Sequence, residues 1–309
     1  MKRICSLLLV ILLGISIISC GDNSSSKGKT KIGYLSIPHA LPLYILDEVK
    51  KGDVELVKFS SWPDLGDALS SGKIDGASVL IELAMKAKAN GIDLKAVALG
   101  HKDGNVVVVN KDIESGKDLV GKTIAVPSKL SSHYILINEM LKSEGIDISQ
   151  VNIVELSPPE MPVALQEGRI EAYCVAEPFG AKAVVGNVGK VYKESPDIIK
   201  DSICCGLVLR GDYIKNNKKE AEKLVEKYVD SANYIEEKGA TKEAKDFLTV
   251  DEKTIELSLK WISFDKLRIE EEDYKRLANE VTELNLLKNP PTYEEFVDNS
   301  LIDKVLDNE

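Results

Sequence analysis

Along the chain, segments in which hydrophobic positions repeat every two residues, as in a strand, alternate with segments in which they repeat at helical spacing. Short apolar runs rich in β-branched residues predict strands at 31–37, 54–59, 74–80, 94–99, 106–109, 123–126, 151–156, 170–175, 188–193 and 203–209. Between them, helix formers at helical spacing predict helices at 43–49, 64–71, 81–90, 130–141, 159–167 and 178–185. Such alternation predicts an α/β fold with largely parallel sheets covered by helices.

The pattern divides into two α/β cycles followed by a charged helical region from Tyr213 onward. We expect the chain to cross between the cycles near Asn110–Ser115 and again near Asp201–Arg210. This organisation predicts one lobe built from 30–110 together with 206–309, and a second built from 111–205. Two hinged lobes of this kind hold a ligand in the cleft between them.

The first residues have the layout of a secretory leader. Lys2 and Arg3 precede the apolar run Leu7–Leu13, which is too short to span a bilayer. The segment Ile17–Cys20 resembles a lipobox, so we expect a signal peptide at 1–19 and lipidation at Cys20. A Gly/Ser-rich tether at 20–29 would then hold the protein outside the cytoplasm, anchored to the membrane. A free secreted form and an uncleaved signal anchor are the alternatives.

Charge and cysteine content narrow the functional classes. The 309 residues contain 50 acidic and 40 basic side chains, a net charge of −10 that argues against a nucleic-acid partner. Outside the leader and the lipidation site, three cysteines remain: Cys174, Cys204 and Cys205. An odd number with a vicinal pair is a poor disulfide framework, and no Cys-x-x-Cys or paired-His spacing indicates a metal site. We therefore expect buried free thiols and no bound metal.

Several ordered blocks resemble a known family. They are Val126-Pro127 with Ser131-Ser132-His133, Glu155–Met161, Gln166–Ala172, Glu177-Pro178-Phe179, and Ser60-Ser61-Trp62 with Leu69–Asp75. Together with the leader, these blocks resemble the solute-binding proteins of nitrate/taurine/sulfonate-type ABC importers, nearest to the nitrate and bicarbonate branch. The resemblance covers roughly residues 30 to 210, and the C-terminal region matches only in helical character.

The resemblance implies a type II periplasmic-binding-protein fold with two α/β lobes joined by two hinge strands. It also implies no catalysis, no cofactor, a monomer, a small-molecule ligand, and permease and ATPase partners. Trp62 matches a tryptophan that lines the pocket, His133 a ligand-contacting histidine, and Glu177 a turn at the cleft floor. The nitrate binders' lysine is replaced at Cys204-Cys205, and the bicarbonate binders' carboxylate has no match, so neither nitrate nor calcium is expected.

Other polar residues join this set on their own chemistry. His39 follows the first strand, at the end where α/β sheets gather ligand-binding groups. The complete set of candidate cleft residues is Ser36, His39, Ser61, Trp62, Ser78, His101, Asn105, Ser131, Ser132, His133 and Glu177. Structural roles remain open for several of them: helix capping for the serines, core packing for Trp62, and bonds to backbone donors for Glu177.

The favoured function is capture of a small sulfonate, oxyanion or pyrimidine-like heterocycle for import. One alternative is an enzyme resembling the thiamine-pyrimidine synthases. Those enzymes have a cysteine-rich iron motif, of which Cys204-Cys205 would be a remnant. No Ser-His-Asp order or Gly-rich phosphate loop supports catalysis. The other alternative is a surface lipoprotein that has lost solute binding.

Overall fold

The computed structural model describes residues 28–51 and 54–307. The predicted leader and the lipidation site Cys20 lie outside these residues. Within the described ranges, no helix combines the length and apolar character needed to cross a membrane.

All ten predicted strands are present, with ends within two residues of the prediction. The strands are β1 Thr30–Leu35, β2 Val54–Phe59, β3 Gly76–Leu80, β4 Leu94–Leu99, β5 Lys102–Asp103, β6 Asn105–Val109, β7 Thr123–Val126, β8 Asn152–Glu155, β9 Ala172–Ala176, β10 Lys190–Glu194, β11 Cys205–Arg210 and β12 Ile262–Ser263. The two-residue strands β5 and β12, which pair with each other, carry too short a pattern to be predicted.

The helices also follow the predicted pattern. They are α1 Leu41–Glu48, α2 Trp62–Ser70, α3 Ile81–Ala89, α4 Ser132–Ser143, α5 Met161–Gln166, α6 Phe179–Val185, α7 Ser195–Ile198, α8 Gly211–Asn216, α9 Lys218–Lys238, α10 Thr241–Leu248, α11 Glu252–Lys260, α12 Glu271–Glu283, α13 Tyr293–Phe296 and α14 Ser300–Leu306. Gly72 and Gly145, just after α2 and α4, have φ of 73° and 76°, so glycine supplies the left-handed backbone there.

Two five-stranded sheets repeat one strand order. The first runs β2-β1-β3-β11-β4 and the second, read in the matching direction, runs β8-β7-β9-β6-β10. In each sheet the fourth strand is antiparallel to both neighbours, and the other registered pairs are parallel. Each antiparallel strand is the one by which the chain enters that sheet from the other. The fold is therefore the predicted pair of α/β lobes joined by two crossings.

The position of the first crossing differs from the prediction. Strand β6 pairs with β9 and β10 in the second sheet, with Val106 opposite Val175. The chain therefore crosses at 100–104 rather than at 110–115, and the boundary predicted at residue 110 is too late. An apolar run buried on both faces, such as Val106–Val109, carries no periodic signal of which sheet it joins. The second crossing, at 195–204, overlaps the predicted segment only in part.

The C-terminal helices contact both lobes. Helix α9 packs on α1, and α13 and α14 pack on β4, as expected of supports for the first lobe. Helix α11 instead packs on α6 of the second lobe. Strand β12 pairs with β5 beside the first crossing. This region therefore braces the junction between the sheets, a role that its helical pattern did not predict.

Candidate functional site

The topology brings the ends of many strands to one junction. Ligand-binding groups in α/β sheets gather at the carboxyl ends of parallel strands. Because β6 and β11 run antiparallel to their neighbours, their first residues lie at that same edge. The first sheet contributes the segments that follow β1 and β4 and the start of β11. The second contributes the start of β6 and the N-terminus of α4, which follows β7.

Four side chains from the first sheet and the segments beside it converge on one point. They are His39, His101, Cys204 and Cys205, all fully buried. One ring nitrogen or sulfur atom from each lies within 4.8 Å of those of the other three. The two sulfur atoms are 3.8 Å apart, and His39 Nδ1 lies 3.6 Å from Cys205 Sγ and 3.9 Å from Cys204 Sγ. Imidazole nitrogen and thiolate sulfur are ligands for transition metals, so these four side chains form a candidate metal site.

The histidine rings are held in different ways. His39 Nε2 lies 3.2 Å from the carbonyl oxygen of Gly104, so the N–H on Nε2 donates to that oxygen and Nδ1 presents its lone pair to the sulfur atoms. Burial, with a contribution from His101, lowers the pKa of His39 to about 4, so the ring is neutral at physiological pH. His101 stacks on His39 with 3.5 Å between ring centroids, and neither of its nitrogens has a hydrogen-bond partner.

The vicinal cysteines meet because the backbone is irregular where β11 begins. Successive side chains of a regular strand point to opposite faces, but Cys204 precedes the first strand residue, Cys205. Burial raises the pKa of the Cys204 thiol, but the neighbouring side chains of Cys205, His101 and His39 outweigh that effect and hold the pKa well below the usual value. Cys205 shifts the opposite way, because burial and the neighbouring Cys204 raise its pKa. The pair thus favours one thiolate.

The second lobe adds buried polar groups that lack partners. Asn105 Oδ1 lies 3.8 Å from Cys204 Sγ, while Asn105 Nδ2, Ser132 Oγ and both ring nitrogens of His133 have no hydrogen-bond partner. Burial lowers the pKa of His133, which is also close enough to Cys204 for their charges to interact. Most buried polar atoms in proteins are paired, so several unpaired ones at one junction indicate a ligand site.

Glu82, at the start of α3, was not predicted as a site residue. Neither of its carboxylate oxygens has a hydrogen-bond partner. Burial raises its pKa well above the usual value, with Cys204 adding to the effect and the nearby backbone N–H of Ser132 opposing it. A glutamate within a run of helix formers usually lies on an exposed helix face, so the composition of this segment did not indicate that Glu82 is buried. Its position just after a buried strand was the only sign of burial.

Four predicted residues have contacts or surroundings away from the cluster. The Ser36 hydroxyl donates to the Phe247 carbonyl at 3.0 Å, and Ser61 caps α2 by accepting from the Asp64 N–H at 3.3 Å. Ser78 lies inside β3 opposite Leu207. Trp62 packs in the larger hydrophobic core, although its indole N–H has no partner.

Ser131 and Glu177 make bonds that stabilise local structure. The Ser131 hydroxyl donates to the Ser128 carbonyl at 2.5 Å and accepts from the Tyr134 N–H at 3.4 Å, which caps α4. Glu177 Oε2 accepts from the Ala181 N–H at 3.0 Å and from the Ser258 hydroxyl at 2.9 Å. Burial raises the pKa of Glu177 to about 8. These contacts agree with the structural roles that the sequence left open: helix capping for Ser131 and bonds to backbone donors for Glu177.

The prediction of free, buried thiols is confirmed for Cys174, Cys204 and Cys205. The expectation of no bound metal relied on spacing along the chain, which does not detect ligands that come from distant segments. His39 and Cys204 are 165 residues apart in sequence and yet in contact. Only the sheet topology brings these segments together, so no local motif could have revealed the cluster.

Comparison with solved structures places the fold in a known class. The ligand-binding component of an ABC-type import system from Staphylococcus aureus, solved with zinc bound, superposes with a TM-score of 0.83 at 38% identity, over 89% of this chain and 98% of that one. The periplasmic nitrate-binding protein NrtA from Synechocystis PCC 6803 superposes with a TM-score of 0.78 at 18% identity, over 91% of this chain and 89% of that one. The chain therefore has the periplasmic-binding-protein fold, as the sheet order indicates.

The sequence identifies the family. The profile of the NMT1-like family matches residues 24–249, and the chain belongs to this family. The taurine-binding periplasmic protein of Escherichia coli K12 is 34% identical over 147 residues, which cover 47% of this chain and 45% of that protein. The chain spans less than two thirds of the length of these curated relatives, for example 38% of the nitrate import ATP-binding protein NrtC of Synechocystis and 51% of NrtA of Nostoc.

Proposed function

We propose that this protein is the solute-binding component of an ABC import system and closes its two lobes around a small ligand. Relatives named as nitrate/nitrite-binding, taurine-binding and aliphatic-sulfonate-binding proteins support this role. The observation that carries the proposal is the set of unpaired buried polar atoms contributed by both sheets at their junction.

The chemistry of the junction narrows the ligand class. Among the described residues, no lysine or arginine is buried, and the polar groups at the junction are imidazole, thiol, amide, hydroxyl and carboxyl groups. A nitrate or sulfonate held there would have no fixed positive charge to offset its desolvation. The buried carboxyl of Glu82 would add repulsion if it ionised. These groups suit a ligand that is neutral or positively charged better than a free oxyanion.

Closure follows from the position of these groups on two lobes. A ligand can shift an open–closed equilibrium only through contacts that differ between the two states. Asn105 and His133 belong to the second lobe, whereas His39 and Cys205 belong to the first. A ligand that bridges these residues therefore stabilises the closed form.

The proposal also covers the arrangement at the membrane. We place one lobe at 28–99 with 205–307 and the other at 105–194, following sheet membership. A leader at 1–19 and lipidation of Cys20 would hold the working monomer outside the cytoplasm, beside permease and ATPase subunits. The relatives named as import ATP-binding proteins support the partnership with an ATPase.

Thermal denaturation of the full-length protein against a panel of metal ions, oxyanions, sulfonates and pyrimidines tests the proposal. A ligand at 100 times its Kd stabilises the native state by about 2.7 kcal/mol, which raises the Tm. The same ligand should reduce the radius of gyration in small-angle X-ray scattering. If no compound in the panel changes either quantity, the solute-binding role is contradicted.

A further inference from the structure

We propose that His39, His101, Cys204 and Cys205 bind one divalent metal ion of the zinc class, and that this ion is the ligand around which the lobes close. The inference rests on the proposed function and deepens it by naming the class of ligand.

The distances between ligand atoms fit tetrahedral coordination. Bonds of about 2.3 Å to sulfur and about 2.0 Å to nitrogen place two tetrahedral sulfur ligands about 3.8 Å apart, and a sulfur and a nitrogen about 3.5 Å apart. The cysteine sulfur atoms are 3.8 Å apart, and His39 Nδ1 is 3.6 and 3.9 Å from them. An ion could therefore bind with little movement of these three residues.

The surroundings of His39 match those of a metal-binding histidine. Such a histidine normally donates its second ring N–H to a carbonyl or carboxylate, which fixes the tautomer and directs the lone pair at the metal. The bond from His39 Nε2 to the Gly104 carbonyl does this. His101, the other histidine ligand, has two ring nitrogens without protein partners, so one of them is available to the ion.

The donor set selects the kind of metal. Two sulfur and two nitrogen atoms suit zinc and similar soft or borderline ions, whereas calcium and magnesium require oxygen ligands. Two thiolates would balance the charge of a divalent ion. The buried site would then be neutral without any lysine or arginine, none of which is buried among the described residues. The S. aureus structure with zinc bound is consistent with this selection.

The distribution of the metal-binding side chains between the two lobes explains how binding of the ion would drive closure. His39, His101 and both cysteines lie on the first lobe or on the crossing segments, so an ion can load while the cleft is open. Asn105, Ser132 and His133 of the second lobe meet the site only when the lobes close. Their unpaired polar atoms can then form hydrogen bonds with the thiolates that hold the ion.

Metal binding is tested on the reduced full-length protein with cobalt as a spectroscopic probe and with zinc in competition against a chromophoric chelator. We expect one ion per chain, and a thiolate-to-cobalt charge-transfer band that zinc abolishes. Cys204→Ser and Cys205→Ser should each weaken zinc binding on the order of 100-fold or more, beyond the usual effect of losing an outer-shell partner. Cys174→Ser removes a buried free thiol outside the cluster, in β9, and should retain wild-type affinity.

A wild-type protein that binds cobalt without a thiolate band, or that binds no ion, overturns the inference even if the variants do not fold. Equal affinity of Cys204→Ser and Cys174→Ser also overturns it. Small-angle scattering separates this failure from that of the proposed function. Closure on a compound other than a metal would preserve the solute-binding role while contradicting the metal site. Stoichiometric zinc binding through the cysteines without closure would preserve the site while contradicting its role as the ligand around which the lobes close.

Discussion

The two lobes share one strand order but contribute different kinds of polar groups to their junction. On the first lobe and the crossings, His39, Cys204 and Cys205 already contact one another. On the second lobe, the ring nitrogens of His133 and the hydroxyl of Ser132 contact no other polar group. The first side of the cleft thus holds an assembled cluster, whereas the second side presents polar atoms without partners, as His101 and Glu82 also do on the first side.

Two buried glutamates show the opposite contrast. Glu82 follows β3 and Glu177 follows β9, which occupy equivalent places in the two sheets. Glu177 accepts bonds from Ala181 and from Ser258 of α11, so it ties the second lobe to the C-terminal region. Glu82 has no such partner and lies near Cys204. Repetition of a fold therefore preserves position without preserving role.

The largest expected effect separates ion loading from closure. His133→Ala should change zinc affinity by less than about 10-fold, or 1.4 kcal/mol, whereas Cys204→Ser should change it about 100-fold. His133 belongs to the lobe that meets the ion only on closure, so its loss should instead increase the radius of gyration of the zinc-loaded protein. Chelator competition and small-angle scattering on the same samples measure both quantities.

Ser36→Ala is a suitable control for His133→Ala. The Ser36 hydroxyl donates to the Phe247 carbonyl, away from the cluster, so this variant should match wild type in both measurements. If His133→Ala reduces zinc affinity as strongly as Cys204→Ser does, the division between an assembled side and a closing side is wrong.

Glu177 provides a test that depends on pH. Its pKa is about 8 in the folded protein, above the ordinary value of 4.5, so folding favours the neutral acid. The contribution of Glu177 to stability is therefore fully present below pH 4.5 and is lost as pH rises toward 8. Within that window, the free energy of unfolding should fall by up to about 1.4 kcal/mol per pH unit relative to Glu177→Gln. Urea denaturation of both proteins at several pH values measures this difference.

The difference between wild type and Glu177→Gln cancels the titration of other groups, such as His39 and His133. Glu160→Gln is a control, because this exposed carboxylate has its pKa lowered by bonds from Ser157. Its contribution to stability should be present above its ordinary pKa and be lost as pH falls. A constant difference between wild type and Glu177→Gln from pH 5 to 8 would contradict the neutral, buried state of Glu177.

The sequence predicted the strands well because each is a short apolar run between turn signals. It did not predict the lobe that β6 joins, since Val106–Val109 is buried on both faces and would fit either sheet. The candidates His39, His101, Asn105, Ser132 and His133 do gather at the junction, because strand ends determine where polar groups meet. The cysteines were assigned to packing, since the convergence of distant segments depends on pairing between sheets rather than on local spacing.

A smaller effect is the loss of stability when a Cβ is added to a buried glycine, which should differ between Gly180 and Gly206 of the two lobes. A Cβ on Gly180 would overlap Val106 Cγ2 and Glu177 Oε1. A Cβ on Gly206, in β11, would lie 2.5 Å from Ile81 Cδ1, the flexible end of a long side chain. Gly180→Ala should therefore destabilise the protein at the upper end of about 1–3 kcal/mol and Gly206→Ala at the lower end. Urea denaturation checks the order, and equal losses would show that both lobes accommodate added volume equally.

The smallest effect concerns the capping serines, and it separates structural from ligand-binding roles. Ser131 is buried and satisfies the Ser128 carbonyl as well as the Tyr134 N–H, whereas Ser61 is more exposed and bonds Asp64. Ser131→Ala should cost about 1 to 2 kcal/mol and Ser61→Ala closer to 0.5 kcal/mol, because water can replace only the exposed bonds. Neither variant should alter zinc affinity if both residues act as caps. A loss of affinity in Ser131→Ala that exceeds its loss of stability would instead place Ser131 in the ligand site, on the lobe whose polar atoms depend on closure for their partners.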